Sequence, residues 1–332
     1  MALPAKAQRM TLVSFADLPG WESDDHGAAL TAFLKSCNVK KGKKSLSPAI
    51  WKPLCDFAKT KPNPKEFFEL MFQPVLVGGE RDALFTGYYE PTIDGSLTRG
   101  GKYQTPIYRK PKELRVGRLY KSRGEIQSGA LNGRGLELAW LADPVEAFFL
   151  QVQGSGRVSL PNGQSLRVGF AAKNGYDYSS VGQEMVRQGL MKKSQASAQN
   201  IKKFVRNNPQ QGRDLLAHNQ SYVFFRALKN LKESDGPLGA MGVPVTDLRT
   251  LAVDPEYNPL GMPIFIDKRG RDPLQRLMIA QDIGAAIKGP QRADIYYGTG
   301  DKAGKVAGRT KATGRMYLLL PIESVANVTD TR

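Results

Sequence analysis

The sequence predicts a mainly β fold with helices gathered at its N-terminal end, an α+β class. Apolar residues recur at helical spacing over roughly residues 24 to 72. From about Asp235 onward the chain is instead a series of short strand-like segments parted by glycine and proline turns, a spacing that suits a small barrel better than a doubly wound parallel sheet. No window approaches the roughly 18 apolar residues needed to cross a bilayer, and 332 residues leave room for two domains.

The elements follow in order. Asp24 or Asp25 can cap a first helix whose face is Leu30, Phe33, Leu34 and Cys37, the i, i+3, i+4, i+7 pattern. A second helix carries Ile50, Leu54, Phe57 and Ala58, and a third starts near Pro64 with Phe67, Phe68, Met71 and Phe72 inward. Lys40 to Ser45 reads as a solvated basic loop between the first two. Ala83 to Tyr89 is an aromatic strand ended by Glu90-Pro91. Pro106 to Arg109 is a short strand, and Val145 to Gln153 is expected to be a longer one. Arg157–Leu160 and Ser165–Val168 flank Pro161-Asn-Gly163, whose Asn-Gly marks a hairpin. Ser179–Leu190 and Ser194–Asn207 read as helices, and Tyr222–Phe225 as a strand. The last strands are Leu251–Val253, Pro263–Ile266, Leu277–Ala280, Ile295–Tyr297 and Met316–Leu320.

Two motifs mislead. Gly298-Thr-Gly-Asp-Lys-Ala303 follows a strand, precedes a possible helix and matches a dinucleotide-binding fingerprint, but a Rossmann unit needs several βαβ repeats and too little chain remains. Its glycines read as a turn that lets backbone pass close to a ligand. Gly154-Ser-Gly156 is not a nucleophile elbow and reads as a polar loop lining a groove.

The formal charge is +17, from 48 basic and 31 acidic residues. Such a balance draws polyanions, whether nucleic acid, an anionic membrane surface or an acidic cell-wall polymer, or simply keeps the chain soluble. No basic run interleaves with aromatics, so nucleic acid is not expected as a partner. Cys37 and Cys55 lie on apolar helix faces and are either buried thiols or one disulfide. With His26 and His218 scattered, no metal site and no cofactor are expected. Residues 1–10 hold no long apolar core and no cysteine to lipidate, so the expectation is a cytosolic chain or a targeting segment outside this sequence.

The chemistry centres on Asp282 and Asp294, each at the end of an apolar run beside glycines. A carboxyl held against Tyr296, Tyr297 and aliphatic neighbours has its neutral form favoured by desolvation, which is what protonating a glycosidic oxygen requires. Asp282 has a turn role open to it at Ile283-Gly284-Ala285. Asp294 opens an aromatic strand where β-propensity disfavours aspartate, and is the better functional bet. Asp254 precedes a proline and reads as a turn cap. Tyr88 and Tyr89 alternate faces of one strand, so one can line a groove, and Thr86, Gln153 and Ser155 can offer hydroxyl and amide groups to a sugar.

Several motifs in order resemble the membrane-bound lytic transglycosylase A family. They are Thr86-Gly-Tyr-Tyr-Glu-Pro91, Thr105-Pro-Ile-Tyr-Arg109, Gln151-Val-Gln-Gly-Ser-Gly-Arg157, Ala172-Lys-Asn-Gly-Tyr176, Asn219-Gln-Ser-Tyr-Val-Phe-Phe225, Asp282-Ile-Gly-Ala-Ala-Ile-Lys-Gly289 and Ala293-Asp-Ile-Tyr-Tyr-Gly298. The resemblance implies a double-psi β-barrel domain from residues 1–90 and 235–332, an inserted β-rich domain from 91–234, and a groove between them. It implies a C-terminal module named for three aspartates, here Asp254, Asp282 and Asp294, with Asp294 as the single catalytic acid and Asp282 positioning. Thr86, Tyr88, Tyr89, Gln153, Ser155 and Asp254 would contact substrate. The implied reaction cleaves the bond between N-acetylmuramic acid and N-acetylglucosamine in peptidoglycan and closes a 1,6-anhydro ring. A non-catalytic expansin-like glycan-binding protein is the alternative. The implied setting is the periplasm, with outer-membrane association, although the lipoprotein signal and lipidated cysteine usual among relatives do not occur in this chain. That oxidising setting implies a Cys37–Cys55 disulfide. Peptidoglycan strands are the expected partner of a monomer, with cell-wall synthesis or hydrolase complexes as further candidates.

Overall fold

The computed structural model describes residues 10–39, 47–79 and 81–325. The basic loop expected at Lys40–Ser45 lies outside the described residues. The chain forms two compact units, one from residues 1–88, 234–298 and 310–332, the other from residues 89–233 and 299–309. The short segment 299–309 thus packs with the second unit, although it falls within the stretch assigned to the barrel from sequence.

In the first unit the expected N-terminal helices form. Helix α1 (His26–Cys37) is capped by Asp25, whose carboxylate accepts from Ala28 N at 2.9 Å. Helix α2 (Pro48–Lys59) and helix α3 (Pro64–Met71) both start with proline, which loses no helical hydrogen bond there. Cys37 and Cys55 join α1 to α2 as a disulfide, with Cα atoms 5.6 Å apart.

Strands β1 (Met10–Leu12), β2 (Phe72–Val77) and β3 (Ala83–Glu90) come before the second unit, and β10 (Thr250–Val253), β11 (Pro263–Lys268), β12 (Leu274–Ile283), β13 (Arg292–Thr299) and β14 (Lys311–Pro321) after it. Six of them close a ring in the order β3, β14, β11, β12, β10, β13 and back to β3, while β2 and β1 extend outward from β14. Phe85, Leu251, Val253, Phe265, Ile295 and Leu318 belong to its buried core. Strand β10 runs parallel to β12 and antiparallel to β13, so this is a mixed closed barrel and not a meander. A one-turn helix, α10 (Ile322–Val325), ends the described chain.

The second unit is a six-stranded mixed sheet in the order β5 (Thr105–Tyr108), β6 (Glu137–Leu141), β4 (Thr92–Ser96), β7 (Ser155–Ser159), β8 (Ser165–Lys173), β9 (Val223–Ala227). The hairpin expected at Asn162-Gly163 joins β7 to β8, with Ser159 opposite Ser165 and Gly163 at φ +80°. A single turn, α4 (Arg123–Glu125), precedes β6.

The strand expected at Val145–Gln153 is instead helix α5 (Pro144–Gln153). The Asp143 carboxylate accepts from Val145 N and Glu146 N, Pro144 sits in the first turn, and Gly154 ends the helix at φ +79°. Val145, Phe148 and Phe149 then pack with helices α6 (Val181–Arg187), α7 (Ala198–Asn207) and α8 (Pro209–His218). The possible helix after Gly298 is real, as α9 (Gly300–Arg309).

Two buried charges organise this unit. Arg123, 1% exposed, donates to the carbonyls of Asn219 and Ser221 and to Gln151 Oε1, with its guanidinium over the Phe148 and Tyr222 rings. Burial holds it below the usual arginine range, to about 10. Glu90 is fully buried between Arg157 at 2.8 Å and Arg167 at 3.2 Å, and accepts from Thr299 at 2.9 Å.

Candidate active site

Asp282 and Asp294 lie on β12 and β13, the two strands that flank β10. Ala252 of β10 is the direct partner of both. Directly opposed residues point to one side of a sheet, so both carboxyls emerge on the face of Ala252. Their neighbours Leu251, Val253, Ala293 and Ile295 point into the barrel core, so the acids are on its outer face. Two strand spacings set the backbones about 10 Å apart.

Asp282 reaches that register through a bulge. Leu251 pairs with Ala280 while Ala252 pairs with Asp282, leaving Gln281 as the extra residue. Gln281 is fully buried, donates to Ala32 O and Ser36 Oγ of α1 at 2.8 Å each, and accepts from Thr250 Oγ1 at 2.6 Å. An amide that satisfies three partners makes the bulge a fixed feature.

The two carboxyls are held differently. Asp282 Oδ2 accepts from the Tyr88 hydroxyl at 3.1 Å, and Oδ1 accepts from Ala240 N and Ile283 N, each at 2.9 Å. Burial pushes its carboxyl up to about 6, the backbone donors pull against that, and the nearby charge of Asp294 adds to the rise. Asp294 Oδ1 accepts from Thr86 Oγ1 at 2.5 Å, and Oδ2 has no partner among the described residues. Burial raises Asp294 above the ordinary carboxylate value, against the Thr86 hydrogen bond and the Arg292 charge. Arg292 donates to Thr86 Oγ1 at 2.8 Å, so the hydroxyl is oriented from behind. Tyr88, Val245, Ala252 and Tyr296 wall this face with apolar surface, and the two tyrosine rings lie 5.1 Å apart. The arrangement offers a proton donor on a desolvated shelf.

Comparison with known proteins bears on this directly. The MltA-specific insert domain matches residues 84–226, and the 3D domain matches residues 249–320, the stretch that holds both acids. The membrane-bound lytic murein transglycosylase A of Escherichia coli K12 is 37% identical over 255 residues, covering 74% of this chain and 67% of that protein. This chain belongs to the membrane-bound lytic murein transglycosylase A family. Among solved structures, the Agrobacterium tumefaciens membrane-bound lytic murein transglycosylase has 31% identity and a TM-score of 0.86, covering 96% of this chain and 99% of that one. Escherichia coli MltA with bound chitohexaose has 28% identity and a TM-score of 0.77, covering 95% of each chain.

The remaining residues singled out from the MltA resemblance fall in different surroundings. Thr86 and Tyr88 touch the acids, as above. Asp254 is 2% exposed, and its carboxylate accepts from Glu256 N at 3.3 Å and Gly289 N at 2.9 Å. That geometry braces a turn, as the proline after it suggests. In the second unit, Gln153 Oε1 accepts from Tyr89 N at 3.1 Å, and Ser155 is 8% exposed. The Tyr89 ring sits over Gly304 of α9, where a Cβ would come within 2.7 Å of it. Beside it is a cavity of about 260 Å³ lined by Asp94, Asp143, Glu146, Lys202 and Asp301. Lys102, Arg206 and Lys202 pair with the first three carboxylates, so most of its charge is internally compensated. Gln281, Arg292 and Ala252 were not anticipated. A glutamine directly after the apolar run Leu277-Met-Ile-Ala280 is the visible signal for the first.

Proposed function

We propose that Asp294 is the single acid and base of a lytic cleavage of peptidoglycan. The protein acts on the β-1,4 bond between N-acetylmuramic acid and N-acetylglucosamine and leaves 1,6-anhydro-muramic ends. The observation that carries the assignment is the contrast between the acids. Burial raises both carboxyls, but both oxygens of Asp282 are engaged by three donors, whereas Asp294 keeps Oδ2 for a substrate.

In the first step protonated Asp294 gives its proton to the glycosidic oxygen as the bond from C1 breaks and N-acetylglucosamine leaves. In the second, the Asp294 carboxylate takes the proton of the muramic C6 hydroxyl as that oxygen bonds to C1. The enzyme ends protonated, and no water is consumed. Thr86 keeps Oδ1 fixed through both steps. One group serving as acid and then base is chemically ordinary in retaining glycosidases. Asp282 positions the Tyr88 side of the shelf. Tyr89, Gln153, Ser155 and Asp254 are proposed to assist glycan binding, Asp254 by fixing its turn.

We read the barrel as a double-psi barrel built from residues 1–90 and 235–332, with 91–234 inserted. The protein is proposed to act as a monomer in the periplasm, in association with the outer membrane. The Cys37–Cys55 disulfide suits an oxidising compartment. Digestion of purified peptidoglycan in ¹⁸O-labelled water tests the chemistry. Unlabelled anhydro-muropeptides are expected. Reducing ends carrying ¹⁸O would make the enzyme a hydrolase with a second working carboxylate, and release of neither product would leave an expansin-like binding protein.

A further inference from the structure

We propose that the loop of residues 110–121 docks the protein on an anionic phospholipid bilayer. Val116 and Leu119, 90% and 67% exposed, are the two most exposed large hydrophobic residues among those described. Val116 lies in a tight turn and Leu119 directly follows it. Single exposed apolar residues are ordinary, but the two most exposed ones three positions apart in one loop are not explained by chance exposure. Arg118 N bonds to Arg115 O at 3.3 Å to close the turn, with Val116 and Gly117 at its centre and Gly117 at φ +80°.

The loop is braced from below. Leu114 is buried, and Tyr120 N bonds to Asn174 O at 2.8 Å. Gly175 passes so close beneath that a Cβ there would meet Arg118 O at 2.5 Å. Glu113, the one acid in the loop, is bound by Arg134 at 2.7 Å and by the Tyr120 hydroxyl at 2.5 Å. The apolar tip is therefore a presented surface on a fixed base.

The same loop carries Lys110, Lys112, Arg115, Arg118 and Lys121. Among the described residues no carboxylate pairs with the first four, all of them exposed. Exposed cations in the same loop as exposed apolar side chains match a membrane interface, where headgroup phosphates meet the acyl boundary. A soluble polyanion would use the cations and leave Val116 and Leu119 in water. Each cation near an anionic surface multiplies partitioning by roughly five, and an apolar insertion supplies the second signal that stable attachment needs. The inference is independent of the role given to Asp294.

The test is sedimentation of the full chain with vesicles. Binding is expected to phosphatidylethanolamine–phosphatidylglycerol vesicles and to be lost on phosphatidylcholine. A Val116→Ser/Leu119→Ser double variant keeps the +17 charge yet should partition about 10-fold less. Arg115→Gln/Arg118→Gln should fall roughly 25-fold, from two cations at about five each. A Val116→Cys variant carrying an environment-sensitive dye should shift to the blue with anionic vesicles only, which reads the tip directly even if a double variant folds poorly. Unchanged partitioning of the apolar double variant overturns the proposal, as charge alone would then hold the protein. So does an unshifted dye, or absence of vesicle binding. Digestion of peptidoglycan in solution should be the same in both double variants, and its loss would reassign the loop to glycan binding.

Discussion

The Thr86 hydroxyl donates to Asp294 Oδ1 at 2.5 Å while accepting from Arg292 at 2.8 Å. Arg292 therefore reaches the acid through a hydroxyl. Its charge is felt, and among the described residues no direct ion pair fixes the carboxyl in its ionised form. That relay lets burial raise Asp294 while its geometry stays set.

Replacing Asp294 with Asn removes the carboxyl that keeps an oxygen for the substrate, while Asp282 stays engaged by its three donors. Muropeptide release should fall on the order of 10²–10⁴-fold, with binding to insoluble peptidoglycan retained. Turnover within a few-fold of the parent would end the assignment.

Thr86→Val keeps the shape and deletes the donor. The hydrogen bond favours the charged form of Asp294, so its loss should raise that carboxyl further. The alkaline limb of kcat/KM against pH should move upward. The second step should also slow as Oδ1 loses its anchor, and kcat should drop about 10-fold. An unmoved limb would show that another group titrates there.

Asp282 carries a stability signature. Its folded value, about 6, lies above the ordinary aspartate value of 3.8. A raised acid contributes stability that is fully present below the unfolded value and is lost as pH rises through the folded one. The parent protein should therefore lose stability between about pH 4 and pH 7 through this group, by an amount on the order of 3 kcal/mol. Asp282→Asn should flatten that slope and unfold at a higher temperature than the parent at pH 7.5. Parallel curves of melting temperature against pH would contradict the burial argument.

The Cys37–Cys55 bridge closes a segment with a sequence separation of 18. Cys37→Ser/Cys55→Ser should cost about 3 kcal/mol in denaturant unfolding, and activity at low temperature should persist because the bridge ties α1 to α2 and touches neither acid. Free alkylation of both thiols in periplasm-derived parent protein would show that the bridge does not form there.

Much of this was legible from sequence, for local reasons. The capped N-terminal helices and the Asn-Gly hairpin depend on neighbours in the chain, and an aspartate within an aromatic strand stands out against local propensity. Val145–Gln153 is rich in valine and phenylalanine and so satisfies strand composition, while the helix is decided by the Asp143-Pro144 start just outside that run. The pairing of Ala252 with both acids, the Gln281 bulge and the Thr86–Arg292 relay rest on contacts between segments remote in sequence, which no periodicity encodes.

The position of Ala252 has one further consequence. Asp282 and Asp294 are close neighbours in sequence, yet they become neighbours in space only across a strand that precedes both of them. The segment 274–299 holds both carboxyls of the shelf, but the strand that sets them side by side lies outside it. Such a centre cannot be grafted as a peptide or rescued by a fragment. It comes into being when the ring of strands closes, which makes folding itself the last step in assembling the catalyst.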